Sequence, residues 1–263
     1  MRPLALRRQA SSVAAGLLVA GLFTYVFLAI VARRLSASDL GTFGAVWSVL
    51  FFGGVVAYLG VEQTGTVWVA AAPTEAKTAI PISGGRLALL VSGAALATAS
   101  LTVLLVPGAR KASVFAIILL AVAAYAPNYL LRAHLAGNQR FGLYGGLVAA
   151  ETAARLLALA VVLAVTGTSV EGFLLATAIG PLMAATLFGG IIVKLHFVSA
   201  ADQIPLTSIG ALGAANFALI GFLNIGPAIV TARGAEIAAA GVFLGFLIVR
   251  IPLFMFQSIT ATL

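Results

Sequence analysis

Apolar runs of about 20 residues follow one another along almost the whole chain, separated by short polar connections. A helix of about 20 residues crosses a hydrocarbon core of roughly 30 Å and pairs its backbone groups internally, as lipid requires. The pattern therefore predicts an all-α polytopic membrane protein with no separate water-soluble domain. About eight spans are expected, near 13–32, 43–65, 87–106, 113–131, 142–165, 172–193, 206–230 and 237–259.

Composition agrees with a membrane location and changes how the charge is interpreted. Hydrophobic residues make up 62% of the chain and charged residues 8%, against roughly 25% charged in soluble domains. The net charge of +8 would raise the question of nucleic acid in a soluble protein. Here the basic residues lie mostly in short connections, where they set orientation and meet anionic lipid headgroups. Membrane lipids are expected partners, and nucleic acid is not.

The N-terminus is predicted to be cytoplasmic. Lys and Arg residues are more frequent in the connections on the N-terminal side of the membrane than in those on the opposite side, and such residues favour the cytoplasmic face. The first apolar run ends at Arg33 and Arg34 without a small-x-small cleavage site, so it is interpreted as a retained first helix and not as a signal peptide.

Several kinds of chemistry are missing from the sequence. There is no cysteine, and the chain contains no G-x-x-x-x-G-K-[ST] phosphate loop, no H-E-x-x-H and no G-x-S-x-G. We therefore expect no catalytic residues, no metal, no cofactor and no enzymatic activity. Transport driven by ATP on this chain alone is also excluded.

A weak internal repeat recurs at an offset of 200 residues. Its two copies lie six spans apart and so enter the membrane in the same direction, as in a parallel repeat of two lobes. We expect a six-helix first lobe over 1–200 and the first two helices of a second lobe over 201–263, in a truncated chain. A chance match between two hairpins is the alternative. The matching residues are Gly21, Ala32, Arg33, Gly41, Phe43 and Val49 with Gly221, Ala232, Arg233, Gly241, Phe243 and Val249.

Glu151 and Arg155 lie four residues apart inside the fifth predicted span. A charge at mid-membrane costs on the order of 3 kcal/mol, so the pair should face protein or water and not lipid. Two interpretations stay open. The pair neutralises itself along one helix face, or Arg155 lines a hydrophilic cavity and meets an anionic substrate.

Four further polar residues in the apolar runs are candidates for the cavity wall. Glu62 is a lone carboxylate that could take up a proton or pair with a basic residue. Arg250 precedes Pro252, which should kink the helix, as would suit a helix that lines a cavity. The alternative is that the Arg250 side chain extends to the membrane interface. Asn216 and Asn224 share one helix face, and interhelical hydrogen bonds are their first interpretation.

A basic inner loop is predicted between the fourth and fifth spans, from the residues Arg132, His134 and Arg140. His134 and His196 are expected to be solvated in two inner loops. Neither histidine has a partner at the spacing of metal ligands.

Three segments resemble the polysaccharide and lipid-linked oligosaccharide flippases of the multidrug/oligosaccharidyl-lipid/polysaccharide exporter superfamily. They are VARRLSASDLGTFGAVWSVLFFGGVVAYLGVEQ, RAHLAGNQRFGLYGGLVAAETAARLLALA and RIPLFMFQSITATL. The resemblance implies a bacterial inner-membrane protein of twelve to fourteen helices, whose two lobes enclose a cationic cavity. It also implies alternating access to a lipid-linked glycan and glycan polymerases as partners. The residues at the matching positions are Glu62, Arg140, Phe141, Gly142, Glu151, Arg155 and Arg250.

The sequence thus favours a flippase that moves a polyprenyl-diphosphate-linked oligosaccharide or polysaccharide precursor, with Arg155 and Arg250 attracting the diphosphate. The planar guanidinium group binds phosphate oxygens in pairs, which suits that role. Two alternatives stay open. One is a cation-coupled drug or small-molecule antiporter of the same superfamily, and the other is a membrane fragment or scaffold without transport activity.

Overall fold

A computed structural model describes residues 3–73, 77–80, 82–192, 195–197 and 204–260. Helices occupy nearly all of this part of the chain. They are α1 (Pro3–Arg34), α2 (Ala37–Val49), α3 (Val56–Ala71), α4 (Gly84–Leu105), α5 (Ala112–Gly137), α6 (Phe141–Val165), α7 (Val170–Leu187), α8 (Gly189–Ile192), α9 (Leu206–Asn224), α10 (Gly226–Ala232) and α11 (Glu236–Thr260).

Six stretches of the described helices are long and apolar enough to cross a membrane. They are Ser11–Arg34, Ala37–Ala71, Gly84–Leu105, Ala112–Gly137, Phe141–Val165 and Val170–Leu187. These stretches match the first six predicted spans, and the protein is an all-α polytopic membrane protein, as the sequence predicts.

The seventh predicted span, 206–230, is interrupted. Helix α9 ends at Asn224 and α10 begins at Gly226, with Pro227 in its first turn. Pro227 lacks the N–H that a continuous helix would need at this point, so the proline accounts for the break between α9 and α10. The eighth predicted span corresponds to α11.

The helix starts are marked by side-chain caps. Ser36, Ser83 and Ser169 precede α2, α4 and α7, and each hydroxyl accepts a hydrogen bond from a backbone N–H three residues later. Such caps satisfy donors that the first helical turn leaves without partners.

The second span is much longer than a bilayer requires and contains a π-helical segment, Leu50–Val55, between α2 and α3. The hydrogen bonds of a π-helix span one residue more than those of an α-helix, which changes the direction of the helix that follows, and such segments are frequent at functional sites. Gly53 lies within the segment, and a Cβ there would come within 2.5 Å of the Thr98 hydroxyl on α4. A larger residue at this crossing would therefore force Thr98 to move.

A two-residue parallel bridge joins two connections at one end of the helices. β1 (Ala79–Ile80) pairs with β2 (His196–Phe197). The bridge ties the connection after α3 to the connection that precedes α9.

The main core draws on all of the helices from α1 to α7, with further residues from α10 and α11. Phe27 and Trp47 stack with ring centroids 5.6 Å apart, and Trp47 and Phe51 stack at 4.7 Å. Tyr58 and Tyr125 are fully buried in the same cluster. These rings form an apolar wall around the charged groups described below.

Helices α2 and α11 pack closely, through residues that the repeat equates. The rings of Phe43 and Phe243, which are 200 positions apart, meet edge to face with centroids 6.1 Å apart. The Tyr25 hydroxyl of α1 donates a hydrogen bond to the Leu247 carbonyl of α11 at 2.8 Å. Contact between equivalent residues is what a two-fold axis between the copies would produce. The repeat and the lobe boundary near residue 200 stay predictions.

Glycine allows α1 and α6 to cross at close range. A Cβ on Gly145 would lie 2.6 Å from the Ser12 carbonyl oxygen, whereas a Cβ on the neighbouring Gly146 would meet nothing within 4 Å. Gly145→Ala is therefore expected to lower the free energy of unfolding by about 1–3 kcal/mol through overpacking. Gly146→Ala should raise it by about 0.5–1 kcal/mol through helix propensity. Thermal unfolding of the two purified variants measures the difference, and equal shifts would contradict the crossing.

Candidate polar site within the membrane

The charged site is built from α5 and α6, which are joined by a short connection. Helix α5 continues to Gly137, so Arg132 lies inside the helix and not in a basic inner loop. The loop prediction was wrong for Arg132 and His134, because it ended the span at the last uncharged residue, 131. Arg140 does lie in the connection and is exposed.

Glu151 joins two arginines. Its Oε2 accepts a hydrogen bond from Nη2 of Arg132 at 2.6 Å, and its Oε1 accepts one from Nη2 of Arg155 at 3.0 Å. The exposed fractions of the side chains are 12% for Arg132, 5% for Glu151 and 3% for Arg155. Two positive charges and one negative charge leave this group, which we call the Arg–Glu–Arg cluster, at a net charge of +1.

The depth of the cluster follows from helix geometry. Glu151 lies ten residues after Phe141, at which α6 begins, or about 15 Å into the helix. This position is close to the middle of a hydrocarbon core of about 30 Å. We expected the pair to face protein or water and not lipid. The structure shows that it faces protein, since Glu151 and Arg155 are both buried.

Aromatic groups enclose Arg155. Its guanidinium carbon lies 5.4 Å from the ring centroid of Trp47 and 6.0 Å from that of Phe27. Its Nη2 also donates a hydrogen bond to the Tyr125 hydroxyl at 3.1 Å. On the side of α7, a Cβ on Gly180 would lie 3.0 Å from the Cβ of Arg155. Cation–π attraction and tight packing therefore hold this arginine in place.

Arg132 has fewer contacts than Arg155, although its ion pair with Glu151 is shorter. Its guanidinium carbon lies 4.6 Å from the ring centroid of Tyr129, which is one helical turn away on α5. Its side chain is also the most exposed of the three in the cluster. An incoming ligand would therefore reach Arg132 first.

Both arginines keep a buried donor without a partner. Within the described part of the chain, Nε of Arg132 and Nε of Arg155 make no hydrogen bond, although each is buried. A guanidinium group presents donors as a planar fork that matches two oxygens of a carboxylate or phosphate. Each fork contacts Glu151 through Nη2 alone, so each retains the capacity to bind a further oxygen.

Two other buried polar atoms without partners belong to the same region. They are Nε1 of Trp47, whose ring faces Arg155, and Oδ1 of Asn128. Asn128 lies one turn before Arg132 on α5, and its Nδ2 donates to the Pro181 carbonyl at 3.0 Å. Native interiors satisfy most buried polar groups, so this concentration marks the region as unusual.

Glu62 lies beside the cluster on α3. Its Oε1 accepts a hydrogen bond from the Tyr144 hydroxyl of α6 at 2.8 Å. Within the described part of the chain Glu62 forms no ion pair. The carboxylate is therefore held by a neutral group. Of the two possibilities left open for Glu62, uptake of a proton or pairing with a basic residue, a direct ion pair is not observed in the described residues, although Arg132 lies near enough to interact with it electrostatically.

The two asparagine candidates lie on α9. Asn216 Nδ2 donates hydrogen bonds to Oε1 of Gln63 on α3 at 3.1 Å and to the Leu212 carbonyl at 2.8 Å. The interhelical hydrogen bond predicted for Asn216 is therefore confirmed. Asn224 is buried at the C-terminal end of α9. Arg250 belongs to a stretch of α11 whose side chains lie outside the described residues.

The two histidines behave differently. His134 is buried in α5, and its Nδ1 lies 3.3 Å from the side-chain nitrogen of Asn138, so the expectation that it is solvated was wrong. His196 is exposed in β2. Within the described residues no group of three or more His, Cys, Asp or Glu side chains could hold a metal ion.

Sequence reasoning found Glu62, Glu151 and Arg155, which the fold brings into one region, but missed Arg132 and Tyr144. A signal for Arg132 was present, because Gly137 and Asn138 are typical residues for the end of a helix and lie well beyond residue 131. Tyr144 carried no such signal, since a tyrosine near the start of a span is typical of the membrane interface.

Comparison with known proteins gives no assignment. No protein-family model, no curated protein and no solved structure matches this chain.

Proposed function

We propose that the protein is a flippase-type transporter of a bacterial inner membrane, with a cytoplasmic N-terminus. In this proposal it moves a polyprenyl-diphosphate-linked oligosaccharide or polysaccharide precursor across the bilayer by alternating access. The Arg–Glu–Arg cluster is the part of the first lobe that attracts the diphosphate. Arg132 takes the leading role that the sequence suggested for Arg155.

One observation carries the proposal. Two buried arginines share a single carboxylate, and each retains an unpartnered Nε. A purely structural pair would be most stable with equal charges and fully satisfied donors, because buried charges are costly unless they are paired. Glu62, which interacts electrostatically with Arg132, brings the net charge of the wider region to zero. The two unpartnered donors therefore carry the proposal, because they match a ligand with several acceptor oxygens.

A diphosphate has this chemistry. Its oxygens accept hydrogen bonds in the geometry that a guanidinium fork offers, and its negative charge is attracted to two arginines at once. Because Glu151 bonds each arginine through only one nitrogen, the anion does not have to displace the carboxylate completely. Arg132, as the more exposed arginine, makes the first contact, and Arg155 follows deeper in the helix bundle.

Transport in proteoliposomes tests the proposal. The substrate is a polyprenyl diphosphate oligosaccharide with a fluorescent label, and its movement is followed with a membrane-impermeant quencher. Arg132→Gln is expected to lower the transport rate at least tenfold, equivalent to about 1.4 kcal/mol. The variant keeps the Glu151–Arg155 pair, so the fold should persist.

The matched control for this assay is Arg110→Gln, which removes the same charge from an exposed arginine outside the membrane-spanning helices. Transport by the control should stay within twofold of the wild type. An unchanged rate in Arg132→Gln would rule out the role proposed for the cluster.

A second candidate function is a cation-coupled antiporter. It is favoured by the lone Glu62 carboxylate, which bonds Tyr144 and no arginine. In that case Glu62→Gln would abolish the uptake of a cationic dye, while Arg132→Gln would leave the uptake unchanged. If the diphosphate proposal holds, the dye should not be taken up, and transport of the labelled lipid diphosphate should depend on Arg132.

A further inference from the structure

A polar cavity of about 330 Å³ lies at the end of the molecule where α2, α5, α7 and α11 begin. It is separate from the Arg–Glu–Arg cluster. Arg155 lies ten residues before Val165, the last residue of α6, which places it about 15 Å below that end of the bundle. By the predicted orientation, the cavity opens on the side of the membrane opposite to the N-terminus.

The wall of the cavity combines hydrogen-bond acceptors and donors. Carboxylates come from α2, α7 and α11, an ammonium group precedes α5, and hydroxyl groups lie between them. The polar residues of the wall are Ser38, Asp39, Thr42, Lys111, Thr168, Ser169, Glu171 and Glu236.

Thr42 is the feature that distinguishes this cavity from a solvated helix end. Its exposed fraction is 7%, and within the described part of the chain its hydroxyl makes no hydrogen bond. Other buried threonines, such as Thr98 and Thr177, donate to the carbonyl four residues earlier. The Thr42 hydroxyl therefore keeps its donor and acceptor capacity where the side chain lines the cavity, and both are available to a ligand.

Existing contacts hold the wall in position. Lys111 Nζ lies 2.6 Å from Oε1 of Glu171, and the Ser38 hydroxyl donates to Oε2 of Glu236 at 3.3 Å. The hydrogen bond to Glu171 raises the pKa of Lys111, so the ammonium group stays charged. The second contact joins α2 to α11, so the cavity depends on the packing between these helices.

The charge of the wall narrows the class of ligand. Three carboxylates and one ammonium group give a net charge of −2, which disfavours an anion. The three carboxylates do not converge, because no group of acidic side chains in the described residues could hold a metal ion. Dispersed acceptors with interspersed hydroxyl donors suit a molecule whose own hydroxyl groups both donate and accept.

We propose that this cavity binds a sugar residue. The volume lies at the lower end of the range for small-molecule sites and accommodates a monosaccharide unit. None of the described residues that line the cavity is aromatic, so the sugar lacks a stacking platform and binds at millimolar concentration. The inference rests on the proposed function for the origin of the sugar, which is the glycan of the lipid-linked substrate after it has crossed the bilayer.

Saturation-transfer NMR on the protein in lipid nanodiscs tests the site. The probes are D-glucose, D-galactose, D-mannose and N-acetyl-D-glucosamine, each added alone. At least one should show saturation transfer at millimolar concentration, and Thr42→Val should weaken its binding about threefold to tenfold, as the loss of one hydrogen bond implies. Thr42 has no internal hydrogen bond to lose, so the valine variant should keep the fold.

The matched control is Thr231→Val on α10, a buried threonine that donates to the Pro227 carbonyl and does not line the cavity. It should leave sugar binding unchanged. The proposal is overturned if none of the four sugars binds, or if Thr42→Val binds them as the wild type does.

A second readout uses the absence of cysteine from the chain. Thr168→Cys places one thiol on the exposed rim of the cavity, and a bound sugar should slow its reaction with a membrane-impermeant maleimide. If calcium chloride protects the thiol and none of the sugars does, the cavity is a cation site and the proposal is contradicted. Inorganic pyrophosphate should give no protection. The binding of pyrophosphate to the Arg–Glu–Arg cluster is measured separately. A negative result for sugar binding in the cavity can therefore be distinguished from a negative result for diphosphate binding at the cluster.

Discussion

Glu151→Gln is expected to lower the unfolding temperature of the protein by about 6–20 °C. The substitution keeps the shape of the side chain and removes the one negative charge that both arginines contact. Leaving a buried charge without its partner costs about 3–5 kcal/mol. For a chain of 150–250 residues, each kcal/mol corresponds to about 2–4 °C. Thermal unfolding of the purified protein in one detergent measures the shift.

The control for Glu151→Gln is Glu171→Gln, which breaks an ion pair of similar length on the surface. The Lys111 side chain in that pair is 63% exposed and the Glu171 side chain 28% exposed. Exposed pairs contribute about 0–1 kcal/mol, so this variant should unfold within a few degrees of the wild type. Equal shifts in the two variants would show that burial of the cluster has no energetic consequence.

The triple variant Arg132→Met, Glu151→Leu, Arg155→Met is expected to regain most of the stability that Glu151→Gln loses. Replacing a whole buried ionic group by apolar residues of similar volume is often neutral or stabilising by about 1–4 kcal/mol, since the cost of removing the charges from water disappears. Transport of the polyprenyl diphosphate substrate should nevertheless fall to background, because no guanidinium group remains to bind it.

This combination separates a functional cluster from a structural one. A triple variant that is stable but does not transport would show that the charges are needed for transport of the substrate and not for folding. A stable triple variant that transports at the wild-type rate would contradict the proposed function. A wild-type protein that moves no lipid-linked glycan under the same conditions would favour the non-transporting scaffold.

The membrane-spanning helices were predictable because their signal is strong and local. The predicted span 142–165, for example, differs from α6 by one residue at its start. Long apolar runs with polar ends leave little choice in where a helix begins and ends. The C-terminal end of α5 was predicted six residues too early. Hydropathy stops at the first charge, whereas the helix stops where its capping residues are, at Gly137 and Asn138.

The candidate site was only partly predictable. The spacing of Glu151 and Arg155 along one helix gave their pairing, because the i, i+4 relation is local. Arg132 reaches Glu151 from another helix, and Tyr144 reaches Glu62 across a sequence separation of 82 residues. Contacts of this kind depend on the rotation of each helix about its axis, which a single sequence with apolar residues on all sides does not specify.

The contact between Phe43 and Phe243 illustrates the same limit. Their equivalence could be found from the offset of 200 positions, but their direct packing could not. In an apolar solvent the helices associate through close packing, and small residues such as Gly44 decide which helices approach.

If the two arginines of the cluster bind an anion, inorganic pyrophosphate should stabilise Glu151→Gln, in which both arginines lose their carboxylate partner. The unfolding temperature of this variant with and without pyrophosphate measures the effect. A ligand at about a hundredfold its dissociation constant stabilises the folded state by about 2.7 kcal/mol. We expect pyrophosphate to raise the unfolding temperature of this variant by about 5–11 °C. The increase in the wild type should be smaller, because its Glu151 carboxylate competes with pyrophosphate for the same guanidinium groups. No increase in Glu151→Gln, or an equal increase in the triple apolar variant, would contradict the binding of an anion by the two arginines.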